Sequence, residues 1–179
     1  MNRPAASFIL CALLTVCLAA GAEDWPTFNH DNRRSGVTPE EFAAPLVRAW
    51  TLQTSEAPAP AWPGPAKQDY WHGHYDLRAT LAYDCAFGVV GAGDTLYFGS
   101  SAGKVYALDV ATGRLKWSFF AEGPVRLSPV VVGDRVYVGS DDGCVYCLSA
   151  GDGSAVWKLE AAPDSRFIPG NGEIISLRP

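Results

Sequence analysis

Three groups of residues in this chain have types and spacing suited to chemistry. His72-Gly73-His74 lies between Asp69 and Asp76. In an extended segment, residues two apart project to the same side, so His72 and His74 with the Asp76 carboxylate form a donor set for a divalent cation. The competing reading is a Tyr- and Trp-rich loop with solvated histidines, since short His pairs arise often without ligation. Cys144-Val145-Tyr146-Cys147 has the spacing of a redox or zinc pair. It falls inside a predicted strand, where residues three apart point to opposite faces, so a disulfide or a shared metal is disfavoured. Leu148 rather than His follows, which removes covalent haem attachment and leaves buried free thiols as the reading. Arg126 and Arg166, 40 residues apart, each stand near the start of a predicted strand. Guanidinium groups there suit an anionic ligand or a partner's carboxylates, the competing reading being an inter-blade salt bridge to an acidic residue such as Asp141 or Asp142.

The elements that must position these residues repeat themselves. With Gly93–Phe120 set over Gly133–Glu160, without a gap, 11 of 28 positions are identical, among them Tyr97/Tyr137, Gly113/Gly153 and Trp117/Trp157. A period near 40 residues made of short strands and glycine turns marks a β-propeller blade, whereas helical repeats would show 3.6-residue periodicity. Strands are predicted at 86–90, 95–99, 104–108 and 115–119 in the first unit, and at 126–131, 135–139, 144–148 and 155–159 in the second. Gly103 and Gly143 stand where tight hairpins need positive φ. At the same offset Arg166-Phe167-Ile168-Pro169 opens a third unit that matches Arg126-Leu127-Ser128-Pro129.

Around the repeats the chain divides by composition. Residues 1–22 carry Arg3, an apolar run from Phe8 to Ala20 and the small-x-small motif Ala20-Gly21-Ala22, so they read as an export signal cleaved before Glu23. The apolar run is short for a membrane span. A lipid-attached reading would use Cys17, but Val16 occupies a position that calls for a small residue. Cleavage leaves 13 Lys and Arg against 19 Asp and Glu, a net of −6. That balance argues against nucleic acid or an anionic membrane as partner, because either needs a basic face. Residues 23–55 form an N-terminal segment with one strand at 45–50 ending in Trp50. Residues 56–82 are a Pro-rich and aromatic insertion, expected to be extended and semi-rigid. Blade units follow at 83–122 and 123–162, and 163–179 begins a third. The expectation is an all-β partial propeller of four-stranded blades, the N-terminal piece of a longer ring, since closed rings carry about four to eight blades.

Ala107-Leu108-Asp109-Val110-Ala111-Thr112-Gly113-Arg114-Leu115-Lys116-Trp117 resembles the tryptophan-docking motif of the pyrroloquinoline quinone (PQQ) type repeat, with Arg114 in place of Lys. The second unit keeps Gly153 and Trp157 but has Cys147, Ser149 and Ser154 at the Ala, Asp and Lys positions. The resemblance implies a structural role for Ala107, Asp109, Gly113, Trp117, Gly153 and Trp157, with each indole docked against the adjoining blade. Asp24-Trp25-Pro26 through Asp31-x-x-Arg34-Ser35-Gly36 is similar to exported bacterial propellers of this type. Two branches are implied: quinone dehydrogenases, which hold PQQ and calcium in the central channel, and non-catalytic propellers such as outer-membrane protein assembly factors. The adjacent Cys-Cys pair of the alcohol dehydrogenase branch does not occur, and no quinone or calcium site is assigned by motif. The expected role is a non-catalytic scaffold binding a protein or small-molecule ligand, the alternatives being part of an alcohol or sugar dehydrogenase and a carbohydrate surface built on Trp62, Tyr70 and Trp71.

Overall fold

A computed structural model describes residues 23–42, 44–54, 57, 87–161, 166–170 and 173–177. All regular structure among them is β. The first sheet runs β1 (Val90–Ala92), β2 (Thr95–Gly99), β3 (Lys104–Asp109) and β4 (Leu115–Phe120). The second runs β5 (Val130–Val132), β6 (Arg135–Gly139), β7 (Cys144–Ser149) and β8 (Ala155–Glu160). Each is a four-stranded antiparallel meander in chain order, the form of a propeller blade. β9 (Arg166–Gly170) and β10 (Glu173–Leu177) add a separate antiparallel hairpin.

The two sheets superpose pair by pair. Tyr97 lies opposite Ala107, and Ala107 opposite Trp117; Tyr137, Cys147 and Trp157 repeat that row. Even the ladder irregularity recurs, between Ala107 and Leu108 and between Cys147 and Leu148. Side chains alternate across each strand, so Tyr97, Val105, Ala107 and Trp117 join Val136, Val138, Tyr146 and Leu148 in one buried apolar cluster. This core lies between the sheets, which explains why strand patterning is poor within either unit: both faces of a blade are meant to be covered.

The inner strands differ from the sequence-based expectation. β1 and β5 have three residues each, and 87–89 form no ladder. Pro129 has no amide to donate, and Gly88 is pressed against the Ser128 side chain, where an added Cβ would lie 2.2 Å from Oγ. The N-terminal segment supplies the missing edge partner. Trp25 exchanges two backbone hydrogen bonds with Gly91, at 2.8 and 2.9 Å, and the Pro26 carbonyl accepts the Val131 amide at 2.8 Å. The strand expected at 45–50 is not formed. Pro45 lacks a donor, and Leu46 and Val47 point to solvent.

Candidate functional site

The seam between the blades is organised by Trp117. Its Nε1–H donates to the Ala150 carbonyl at 2.8 Å, and Tyr97, whose ring centroid lies 5.7 Å from that of Trp117, directs its hydroxyl to the same oxygen at 3.4 Å. The indole face covers Gly153, where a Cβ would meet ring atoms at 2.4 Å and φ is +72°. Only glycine tolerates both conditions. Trp50 repeats the arrangement one blade earlier: its Nε1 donates to Val110 O at 2.7 Å, and a Cβ on Gly113 would lie 2.6 Å from the indole. Sequence reasoning placed Trp50 at the end of a strand and missed this contact, because the insertion breaks the 40-residue offset. Trp157 keeps its tyrosine neighbour, Tyr137, at 6.0 Å, yet is 41% exposed against 7% for Trp117.

The turn beneath each indole has one backbone course and two different side-chain supports. Asp109 N donates to Arg114 O and Gly113 N to Asp109 O, both at 2.8 Å; Ser149, Ser154 and Gly153 reproduce these bonds at 2.9 Å. In the first blade Asp109 Oδ1 accepts from the Thr112 amide and hydroxyl at 2.8 and 2.6 Å. Those bonds hold its carboxyl below the usual range, the hydroxyl contributing most. In the second blade the carboxylate has moved to Asp152, whose Oδ1 accepts from Ser154 N and Oγ at 3.0 and 2.8 Å. Its acidity rises for the same reason, with the Ser154 amide first among the causes. Ala107 and Cys147 are fully buried under this turn.

A second polar node joins the blades through their connector. Asp142 is buried and accepts from Tyr146 Oη at 2.6 Å, Cys144 N at 2.8 Å and Glu122 N at 3.1 Å. Burial works to raise its pKa, but the Tyr146 hydroxyl and the Cys144, Ser140 and Glu122 hydrogen bonds outweigh it, and the net shift is downward. Burial, then the Asp142 carboxylate, pushes the Cys144 thiol up. Burial and the same carboxylate raise the Tyr146 hydroxyl. Cys144 and Cys147 are both buried and unpaired with each other, so Cys144-x-x-Cys147 holds packing cysteines rather than a redox pair. Lys158 bonds Glu122 at 2.9 Å, and this contact, ahead of Tyr146, raises its pKa strongly.

Arg126 is engaged by Asp141, Nε to Oδ2 at 2.6 Å, so the ion pair weighed from the sequence is present, formed within the second unit rather than between blades. It lines an open cleft of about 570 Å³ together with Thr27, Phe28, Arg34, Leu127 and Tyr137. Arg34 is held by Thr27 Oγ1 and Phe28 O, at 2.5 and 2.7 Å. The loop bearing it has three non-glycine residues at positive φ, Asn29, His30 and Arg34, a strained conformation fastened by Asp31, which accepts from Arg33 N, Ser35 N and Ser35 Oγ. Sequence reasoning named Arg34 only within the Asp31-x-x-Arg34-Ser35-Gly36 motif and gave neither it nor Phe28 a role in a cleft; the available signal was the polar run between Trp25-Pro26 and Gly36. Arg166 lies on β9, and its side chain is outside the described residues. His72, His74 and Asp76 are outside them too, as are Trp62, Tyr70 and Trp71. Among the described residues no group of three or more His, Cys, Asp or Glu is placed to hold a metal, and no helix is long and apolar enough to cross a membrane.

A family model described as outer membrane protein assembly factor BamB matches residues 47–176. No curated protein sequence matches the chain. Similar solved structures include BamB from Moraxella catarrhalis, 28% identical over 37% of this chain and 21% of that one, with a TM-score of 0.36. A europium-containing methanol dehydrogenase is 24% identical over 46% of this chain and 18% of that one, with a TM-score of 0.39. A quinohemoprotein alcohol dehydrogenase from Pseudomonas putida HK5 is 25% identical over 47% and 14%, with a TM-score of 0.40. The matched part spans about a fifth or less of each of these proteins.

Proposed function

The chain belongs to the family of the outer membrane protein assembly factor BamB and is a PQQ-like β-propeller protein, and we propose that it serves as part of an exported, non-catalytic propeller whose surface binds another protein. The cleft beside the strained loop carries this reading. Leu127 and Phe28 are 76% and 58% exposed there, flanked by the guanidinium groups of Arg34 and Arg126. Protein interfaces draw their affinity from a few aromatic, apolar and arginine anchors of this kind. Leu127 sits in the connector that Arg126–Asp141 pins, so it is offered from a fixed backbone. The carboxylates of Asp109, Asp152 and Asp142 are meanwhile engaged in turns and at the seam, which supports a scaffold role for the polar positions of both repeats.

By family membership, the proposed partner is a component of outer-membrane protein assembly, and the leader 1–22 is proposed to direct export. The test is affinity purification of the full-length protein from the envelope of the producing cell, compared with Leu127→Glu. The variant is expected to keep its melting temperature and to lose recovery of assembly components by about tenfold or more. Unchanged recovery would overturn the reading. So would substrate-dependent dye reduction by the full-length protein reconstituted with PQQ and calcium, because that outcome belongs to a quinone-dependent alcohol or sugar dehydrogenase.

A further inference from the structure

Residues 23–26 are a strap across the inner edges of both blades. Asp24 Oδ1 accepts the Gly93 amide at 2.6 Å, Trp25 pairs with Gly91, and Pro26 O accepts from Val131. The head of this strap is received at both of its polar ends by the loop 30–40. The Glu23 backbone nitrogen donates to the Glu40 carboxylate. The Glu23 carboxylate accepts from Thr38 Oγ1 at 2.5 Å and lies 3.4 Å from His30 Nε2. The Glu23 nitrogen therefore faces a carboxylate, an acceptor that suits a backbone amide and an α-ammonium alike.

The small-x-small motif Ala20-Gly21-Ala22 ends immediately before this residue. We propose that the Ala22–Glu23 bond is a processing site and that the α-ammonium it releases becomes the ion-pair partner of Glu40, fastening the strap over the seam. Hydrolysis adds water across the amide. The carbonyl carbon of Ala22 takes the oxygen as a carboxylate, and the Glu23 nitrogen, which carried one hydrogen and no charge, carries three and a full positive charge at neutral pH. The hydrogen bond from a neutral amide to the Glu40 carboxylate is thereby replaced by an ion pair in which both partners carry charge. Thr38 and His30 engage the Glu23 side chain, which keeps its own carboxylate from competing for the new charge. Removal of the leader is thus coupled to closure of the blade pair, whatever the cleft binds.

Two measurements test this. The protein made from its precursor in an exporting bacterial host should have the intact mass of a chain beginning at Glu23; a retained leader or a lipid-bearing chain beginning at Cys17 would overturn the proposal. The chain beginning at Glu23 is then compared with one beginning at Gly21, released from a cleavable fusion. The shorter chain should melt about 2–4 °C higher at low salt. Glu40→Gln should remove that gap by lowering the Glu23-start form alone. Equal melting of the two forms, or a gap that persists in Glu40→Gln, would overturn it.

Discussion

The two blades share a backbone and differ in the side chains that brace its turns. In the first, Asp109 braces the turn from its opening position; in the second, Asp152 does so from its fourth, and both turns hold the same pair of backbone hydrogen bonds. Their tryptophans differ in the opposite sense: the residue type is the same, but Trp117 is buried against the neighbouring turn while Trp157 is 41% exposed, with no such turn against it among the described residues. The lesson is that this repeat is defined by a carbonyl acceptor and a glycine-sized space, which many side chains can frame, and that an indole is worth only what its neighbour lets it bury.

The largest expected effect therefore separates the tryptophans. Trp117→Ala should cost about 3–5 kcal/mol, the range for truncating a buried Trp, whereas Trp157→Ala should cost well under half of that. Urea denaturation of the two variants measures both, and equal losses would break the comparison. Gly153→Ala comes next. It meets the indole at 2.4 Å in addition to a positive φ, while Gly133→Ala has positive φ and open space around it. Positive φ alone should cost about 1–3 kcal/mol at each site, so the excess at Gly153 isolates the seam contact.

Asp142 sharpens the contrast at the connector, because the first blade has Ala102 in its place. Asp142→Asn should cost about 1–3 kcal/mol at neutral pH, the price of weakening hydrogen bonds to a buried carboxylate. Its folded pKa is depressed, so the stabilisation is complete above the ordinary value of 3.8 and is lost as pH falls through the lower folded value. Acid titration of wild type and variant should converge there, and a difference that persisted after protonation would assign the effect to shape. Smallest of all, Asp109→Ala and Asp152→Ala should shift melting slightly and to a similar extent, since both carboxylates are solvent-exposed turn braces. A loss confined to Asp109 would show that the two turns are not equivalent.

Much of this architecture is legible in the chain itself, and the exceptions have physical causes. The run Thr95–Gly99 and its mate Arg135–Gly139 each follow a turn glycine, end on a glycine and recur at the 40-residue offset, so their limits follow from residue type. The inner strands are harder to place, because their pairing depends on Trp25 and Pro26, some 65 to 105 residues away. The docking of Trp117 is suggested by its motif, but the equivalent contact of Trp50 is hidden by the insertion. The second turn looks degenerate when positions are matched one to one, since Ser149 replaces Asp109; Asp152 restores the brace from a position the motif does not count. The cleft is the least legible feature. Phe28 and Arg34 reach Arg126 and Leu127 only through a loop of unusual backbone angles.

The claim beneath the comparison is that the Trp117 indole and the Gly153 turn are one contact that joins neighbouring blades. A double-mutant cycle between Trp117→Ala and Gly153→Ala, read as unfolding free energy, tests it most directly. The account predicts strong coupling: once the indole is gone, Gly153→Ala should cost no more than Gly133→Ala. Additive losses, with Gly153→Ala just as costly in the Trp117→Ala background, would contradict it.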